Sequence, residues 1–314
     1  MTQAAKYRIR NWKQYNRALT QRGSITLWLS PEMLKKWKAP KKKKQGRPFV
    51  YSDDAILCAL MIKAVYHLPF RQLRGLLLNL ANWIGGDLPI PCYTRICRRA
   101  RALGQKVERL SCKRPVDLVF DSTGLKVFGE GEWKVKKHGA DKRRTWRKLH
   151  LSICPHTQEI HLAELTGNEV TDSQAFSNIG QKIPSSVERV FGDGAYDKQE
   201  CYRLLYEKGI EPIIVPQKNG VAHEELPHLK KRNRAIKELR GFGGDEKGRR
   251  LWKKLKGYHL RSLVETAMFR FKALFGGHLR CKILQSQKAE IYSKCLAINI
   301  MNKLGMPKGR WVFS

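Results

Sequence analysis

The chain has 314 residues, with 62 Lys and Arg against 27 Asp and Glu, a formal net charge of +35. That length admits one large domain or two modest ones, and so strong a positive field implies a polyanionic partner that offsets self-repulsion. The longest apolar run, Ala55–Ile62, is too short to cross a bilayer, and no secretion or lipidation signal is present, so a soluble, cytoplasmic, nucleoid-associated protein is expected, with nucleic acid and not a membrane as its partner.

The first fifty residues hold fourteen Lys and Arg and one acid, Glu32. Residues 1–50 are expected to be a basic arm, weakly helical or coil, in which Lys41–Lys44 followed by Gly46-Arg47-Pro48 forms a tether along phosphates. Residues 51–112 read as three helices of a small all-α, helix-turn-helix-like DNA-binding domain. Ser52 is the expected N-cap of the first, with Asp53 and Asp54 in its first turn. The second follows Pro69, and Gly85-Gly86 break the chain after it. The third sets Ile96, Ala100 and Leu103 on one side and Arg95, Arg98, Arg99, Arg101 and Lys106 on the other. Such a cationic side suits a recognition helix in DNA; the competing reading is a solvated face.

From residue 113 the texture changes. Strands are expected at Val116–Asp121, Leu149–Cys154, Glu159–Leu165, Glu188–Asp193 and Ile210–Val215, with helices over 172–183 and 198–208. The order β-β-β-α-β-α-β fits a ribonuclease-H-like mixed sheet better than an all-parallel one, so residues 113–280 form the expected α/β catalytic domain. Residues 217–257 read as a basic connector of helices and loop. A helix over 258–272 follows, and residues 281–314 hold a closing helix expected to pack on the catalytic domain. The eight cysteines lack paired spacing and resemble neither a disulfide framework nor a zinc site, and His156 and His161 beside Cys154 flank a turn.

Three carboxylates stand out. Asp121 and Asp193 lie at the ends of apolar, strand-like runs, and Glu265 lies on the helix over 258–272, each 72 positions from the next. Neighbouring strands can bring Asp121 and Asp193 together, with Glu265 closing the set from the side. Two Mg²⁺ ions, about 3.5–4 Å apart, would suit such a set for cutting and joining phosphodiesters. Gly124, Gly192 and Gly194 beside the acids permit close backbone approach. On an α-helix Tyr258, Arg261, Glu265 and Lys272 fall within roughly 60° of one face. Arg261 can grip a phosphate in two places, Lys272 can reach a neighbouring phosphate, and Tyr258 can hydrogen-bond or stack. The competing reading of that helix is an Arg261–Glu265 ion pair on an amphipathic surface. Among the other acids, Asp117 sits deeper on Asp121's strand, Asp197 is a cap or support, and Glu169 and Asp172 suit helix capping.

Tyr258-x2-Arg261-x3-Glu265-x6-Lys272 resembles the signature of bacterial DDE transposases of the insertion sequence 4 and 5 superfamily. FDSTG around Asp121, GDGAY around Asp193, and the run from His138-Gly139 through Arg143, Arg144, Trp146 and Lys148 to His150 are similar to the insertion sequence 5 family, and the insertion sequence 903 group in particular. The resemblance implies a ribonuclease-H-like fold, Mg²⁺ dependence (two ions, with Mn²⁺ as a substitute), binding to terminal inverted repeats, strand transfer into target DNA and self-association in a synaptic complex. His138, Arg143, Arg144, Trp146 and Lys148 are expected between the first two strands. There they either line a DNA channel with Trp133 or form a solvated hairpin edge.

The sequence therefore predicts an insertion-sequence transposase in which Asp121, Asp193 and Glu265 hold metal and catalyse. DNA contacts are expected from Tyr258, Arg261, Lys272, Arg95, Arg98, Arg99, Arg143, Arg144, Trp146 and Lys148. The alternatives are a Mg²⁺ nuclease with no joining step, and a DNA-binding regulator whose catalytic domain is a relic.

Overall fold

The computed structural model describes residues 5–40, 48–84, 88–106, 110–111, 113–127 and 146–313. The chain divides into two compact units, Met1–Leu103 with Leu296–Ser314, and Gly104–Cys295. Among the described residues no helix is long and apolar enough to cross a membrane.

In the first unit, β1 (Ala5–Ile9) leads into α1 (Trp12–Gln21), α2 (Ile25–Trp28) and α3 (Pro31–Lys35). The segment read as a basic arm is thus largely folded. Its tryptophans supply the reason: Trp28 and Trp37 are buried, and Trp37 Nε1 donates to the Pro89 carbonyl at 2.8 Å. The lysine block and Arg47 lie outside the described residues, but the chain is paired on either side of them. Ala39 N donates to Val50 O at 2.9 Å, and Lys38 bridges to Tyr51. α4 (Asp53–Val65), α5 (Phe70–Ile84) and α6 (Tyr93–Lys106) follow. Ser52 caps α4 as its sequence signals, its Oγ accepting from Ala55 N at 2.9 Å. The packed side of α6 carries Ile96, Ala100 and Leu103, all buried.

The second unit is built on a mixed sheet. β2 (Asp117–Val127) pairs antiparallel with β3 (Trp146–Ile153), which pairs antiparallel with β4 (Ile160–Gly167). α7 (Asp172–Gly180) crosses to β5 (Arg189–Gly192), parallel to β2, and α8 (Gln199–Glu207) crosses to β6 (Glu211–Ile214), parallel to β5. The order is β4-β3-β2-β5-β6, so the first strand of this unit is central and adjoins the fourth, as the ribonuclease-H-like expectation requires. Leu118 and Phe120 of β2 enter a core with Phe176 of α7 and Leu205 of α8, where the Phe120 and Phe176 rings meet edge to face at 5.0 Å. Each such fully buried ring stabilises the fold by about 1.5–3 kcal/mol. Thr171, not Glu169 or Asp172, is the N-cap of α7, in a reciprocal capping box with Gln174.

The basic connector resolves into α9 (Lys230–Gly241) and α10 (Glu246–Leu255). The expected helix over 258–272 divides in two. Gly257 takes a left-handed φ of 66°, Tyr258–Arg261 form a 3₁₀ turn, and α11 runs Ser262–Phe275. Val264, Ala267, Met268, Phe271 and Phe275 form its buried face, which packs on β2 and β3. The short β7 (His278–Leu279) returns beside the far end of β2. α12 (Leu284–Leu304) contributes its first part to this unit and its last to the other. A final strand that the sequence does not announce, β8 (Gly309–Phe313), pairs with β1.

Candidate active site

β2 does not stop at Asp121. It continues to Val127 because β3 pairs with it as far as Lys126. On its other edge the pairing with β5 ends at Val119, and β7 begins only at Lys126. Asp121 therefore sits on β2 at a notch in the sheet, and Asp193, immediately after the last residue of β5, stands at the same notch. Glu265 comes from the first turn of α11.

One guanidinium joins the three. Arg261 Nη2 lies 2.9 Å from Asp121 Oδ2 and 3.7 Å from Asp193 Oδ2, while Nη1 is ion-paired with Glu265 Oε1. The i,i+4 pair of Arg261 and Glu265 is present, and it faces the other two acids. Asp121 Oδ1 accepts from Ser122 N at 2.8 Å, and Asp193 Oδ1 from Ala195 N at 2.9 Å. Burial pushes the Asp121 carboxyl above the ordinary aspartate value, with Asp193 and Glu265 adding to the rise while Arg261 and the Ser122 amide oppose it. Burial also disfavours the Arg261 charge, but Asp121, Tyr258, Glu265 and Asp193 outweigh it and hold the guanidinium more firmly protonated.

The donor set fits a hard divalent cation. Three carboxylates from three rigid elements converge on one centre of positive charge, and oxygen donors are what Mg²⁺ prefers. Each acid is turned toward Arg261, and among the described residues no three acidic, His or Cys groups stand close enough to share an ion as they lie.

Tyr258 acts through the backbone. Its hydroxyl donates to the carbonyl of Gly192 at 3.2 Å, fixing the end of β5 from which Asp193 projects, and burial pushes its phenol up to about 12. Gly192 is crowded for a local reason: a Cβ there would meet the Tyr196 ring at 3.0 Å. Gly194 is open by comparison, its nearest neighbour 3.8 Å away. Lys272 is exposed on α11, nearly two turns beyond Glu265, with no ion pair to any described residue.

Two other acids near the sheet, Asp117 and Asp197, are buried and held by internal partners. Asp117 is fully buried and accepts from Arg189 at 2.8 and 2.6 Å and pairs with His156 at 2.7 Å. Asp197 is buried under Arg232, Tyr202 and the Gln217 amide, at 2.7, 3.0 and 2.9 Å.

Trp146 and Lys148 lie on β3 itself, not between strands. Extended pairing with β2 draws them into the sheet: Lys126 stands 5.6 Å from the Trp146 ring, and Lys148 Nζ donates to Val170 O at 3.0 Å. His138, Arg143, Arg144 and Trp133 lie outside the described residues. In the helical unit Arg95 and Arg98 are exposed, but Arg99 is tied inward. It donates to Tyr51 O at 3.0 Å, pairs with Asp53 and lies 4.4 Å from the Phe49 ring centre. Its place on the polar side of the helical wheel gave no sign of that, because the partners come from the segment leading into α4 and from the first residue of α4.

Two family models, both described as transposase DDE domain, match the chain, one over residues 113–300 and one over residues 20–130. A solved structure similar to part of it is the Drosophila P element transposase strand transfer complex, at 14% identity over 63% of this chain and 43% of that chain, with a TM-score of 0.27. The chain spans less than half the length of that protein, and a likeness this slight carries no argument.

Proposed function

The chain belongs to the transposase DDE domain family, and on that premise we propose that it cuts DNA at element ends and joins the freed 3′-hydroxyl to target DNA. We place it in the insertion sequence 5 family, insertion sequence 903 group, with a ribonuclease-H-like catalytic domain preceded by a helix-turn-helix-like domain that binds terminal inverted repeats. The observation that supports this reading is the meeting of Asp121, Asp193 and Glu265, from β2, the end of β5 and α11, around Arg261.

Domains of this family generally use divalent metal ions, and Asp121, Asp193 and Glu265 are the residues that would hold them here, as Mg²⁺ or Mn²⁺. Held by these three carboxylates, such an ion would supply activation of an oxygen nucleophile and charge stabilisation for the leaving oxygen. The chain's own residues do the rest. Tyr258 holds the strand end that carries Asp193. Arg261, released from the acids, makes a planar contact to phosphate. Lys272 holds the phosphate beside the scissile one, and Arg95 and Arg98 of α6 bind the element end. Strand transfer on two ends requires self-association in a synaptic complex with duplex DNA, and the site of action is the nucleoid.

Purified protein incubated with end-bearing supercoiled DNA and Mg²⁺, with products resolved on a denaturing gel, tests this. Asp121→Asn, Asp193→Asn and Glu265→Gln each abolish nicking while end binding persists; an Asp121→Asn protein that still nicks sinks the reading. Cut ends that never appear joined to a second DNA would leave a nuclease.

A further inference from the structure

Helix α11 carries three phenylalanines, and they are treated differently. Phe271 and Phe275 are buried, whereas Phe269 is 73% exposed. Ser262, Glu265, Thr266, Phe269, Lys272 and Ala273 form the exposed stripe of this helix, and Phe269 is its one large apolar side chain. It lies four residues after Glu265 and three before Lys272, about 6 Å and about 4.5 Å along the axis. An exposed apolar residue alone is ordinary; its position between an acid of the site and a cation with no ion pair among the described residues is what calls for explanation.

We propose that Phe269 is a stacking platform for an unpaired base at the reacting DNA end, and this rests on the reading of Asp121, Asp193 and Glu265 as the reacting centre. A strand whose scissile phosphate sits at Glu265 and whose neighbouring phosphate sits at Lys272 passes over Phe269. Aromatic faces accept any base, so such a platform needs no sequence readout. A docking site for a second copy fits less well, since the exposed neighbours of Phe269 are charged or small and offer no contiguous apolar area. The net charge of the chain also favours a polyanion over another copy of itself.

The test uses the full chain and a duplex bearing the terminal sequence that bounds its coding DNA, with 2-aminopurine placed in turn on either side of the scissile phosphate. Binding in Ca²⁺ quenches the fluorescence at one of these positions for the wild type and for Phe269→Trp, and the quench is lost in Phe269→Ala. In Mg²⁺, Phe269→Ala cuts the paired end about tenfold more slowly, and the difference between variants disappears on a probe abasic at that position. Thermal unfolding of Phe269→Ala matches the wild type because the ring is exposed. A Phe269→Ala protein that quenches and cuts like the wild type overturns the proposal. So does a defect that persists on the abasic probe together with lost self-association in sedimentation, which makes Phe269 a subunit contact. A wild-type chain that cuts no probe overturns the parent reading, and the proposal with it.

Discussion

Removing the Arg261 guanidinium leaves three carboxylates facing one another at the sheet notch, with Asp121 already pushed toward its neutral form by burial. In the absence of divalent metal, Arg261→Ala is expected to destabilise the fold by about 1–3 kcal/mol, the usual cost of stranding a partly buried charged partner. Urea unfolding with chelator, then with added Mg²⁺, checks this: metal restores a larger share of stability in Arg261→Ala than in the wild type. Equal responses would mean that the guanidinium and the ion do not share a site. A second effect at this scale concerns His150 and His161, both buried and both held below the ordinary histidine value, first by desolvation, against the pull of Asp172 and Glu159 respectively. A depressed histidine binds fewer protons folded than unfolded, so its stabilisation is complete above the ordinary value of 6.5 and is lost as pH falls through the folded one. Melting temperature should therefore fall below pH 6.5, each histidine contributing at most about 1.4 kcal/mol per pH unit, and the His150→Gln, His161→Gln double variant should show a flatter profile.

Among the elements, β2 and the turn after β5 set the site, and the acids there divide into two kinds. Asp193 is about a third exposed and its oxygen caps a turn that asparagine can also cap, whereas Asp197 is buried under Arg232 and Tyr202. Asp193→Asn should leave stability within about 0.5 kcal/mol of the wild type and abolish cleavage. Asp197→Ala should cost about 3–5 kcal/mol by leaving Arg232 buried and unpaired, as denaturant midpoints would show. These two residues also mark the limit of what the sequence conveys. Asp193 was legible because a strand-forming run ends in Gly-Asp-Gly, and the adjacency of β2 and β5 followed from the order of strands and helices. The burial of Asp197 was not, since Arg232 arrives from a connector whose two helices are masked by dense charge. The division of the 258–272 helix was hidden because Arg261 and Ser262, on either side of it, both keep right-handed helical dihedrals, so only the hydrogen bonding changes from 3₁₀ to α and the spacing of Arg261 and Glu265 is undisturbed. The extent of β2 and β3 was hidden for another reason. Residues 146–148 carry no alternation of their own, and their strand character comes from the partner across the sheet.

Across the whole molecule the excess of positive charge is the dominant physical fact, and it separates two arginines that look alike in sequence. Arg98 is exposed on α6, while one helical step away Arg99 is committed to Asp53, Tyr51 and the Phe49 ring. Binding that neutralises phosphates releases counterions, so the logarithm of affinity falls linearly with the logarithm of salt, with a slope of about 0.9 per phosphate contact. A chain contacting 6–10 phosphates should lose roughly a thousandfold or more in affinity between 50 and 200 mM salt. Within that steep dependence, Arg98→Ala and Lys272→Ala should each lower the slope by about 1, because each deletes one phosphate contact. Arg99→Ala should leave the slope unchanged and instead lower the unfolding midpoint of the helical unit, where it removes the tie between α6 and the start of α4. Fluorescence anisotropy with labelled duplex across a salt series measures the slopes, and circular dichroism follows the unfolding. A reduced slope for Arg99→Ala would mean that its guanidinium leaves Asp53 for phosphate when DNA binds, and would assign that ion pair to the free protein alone.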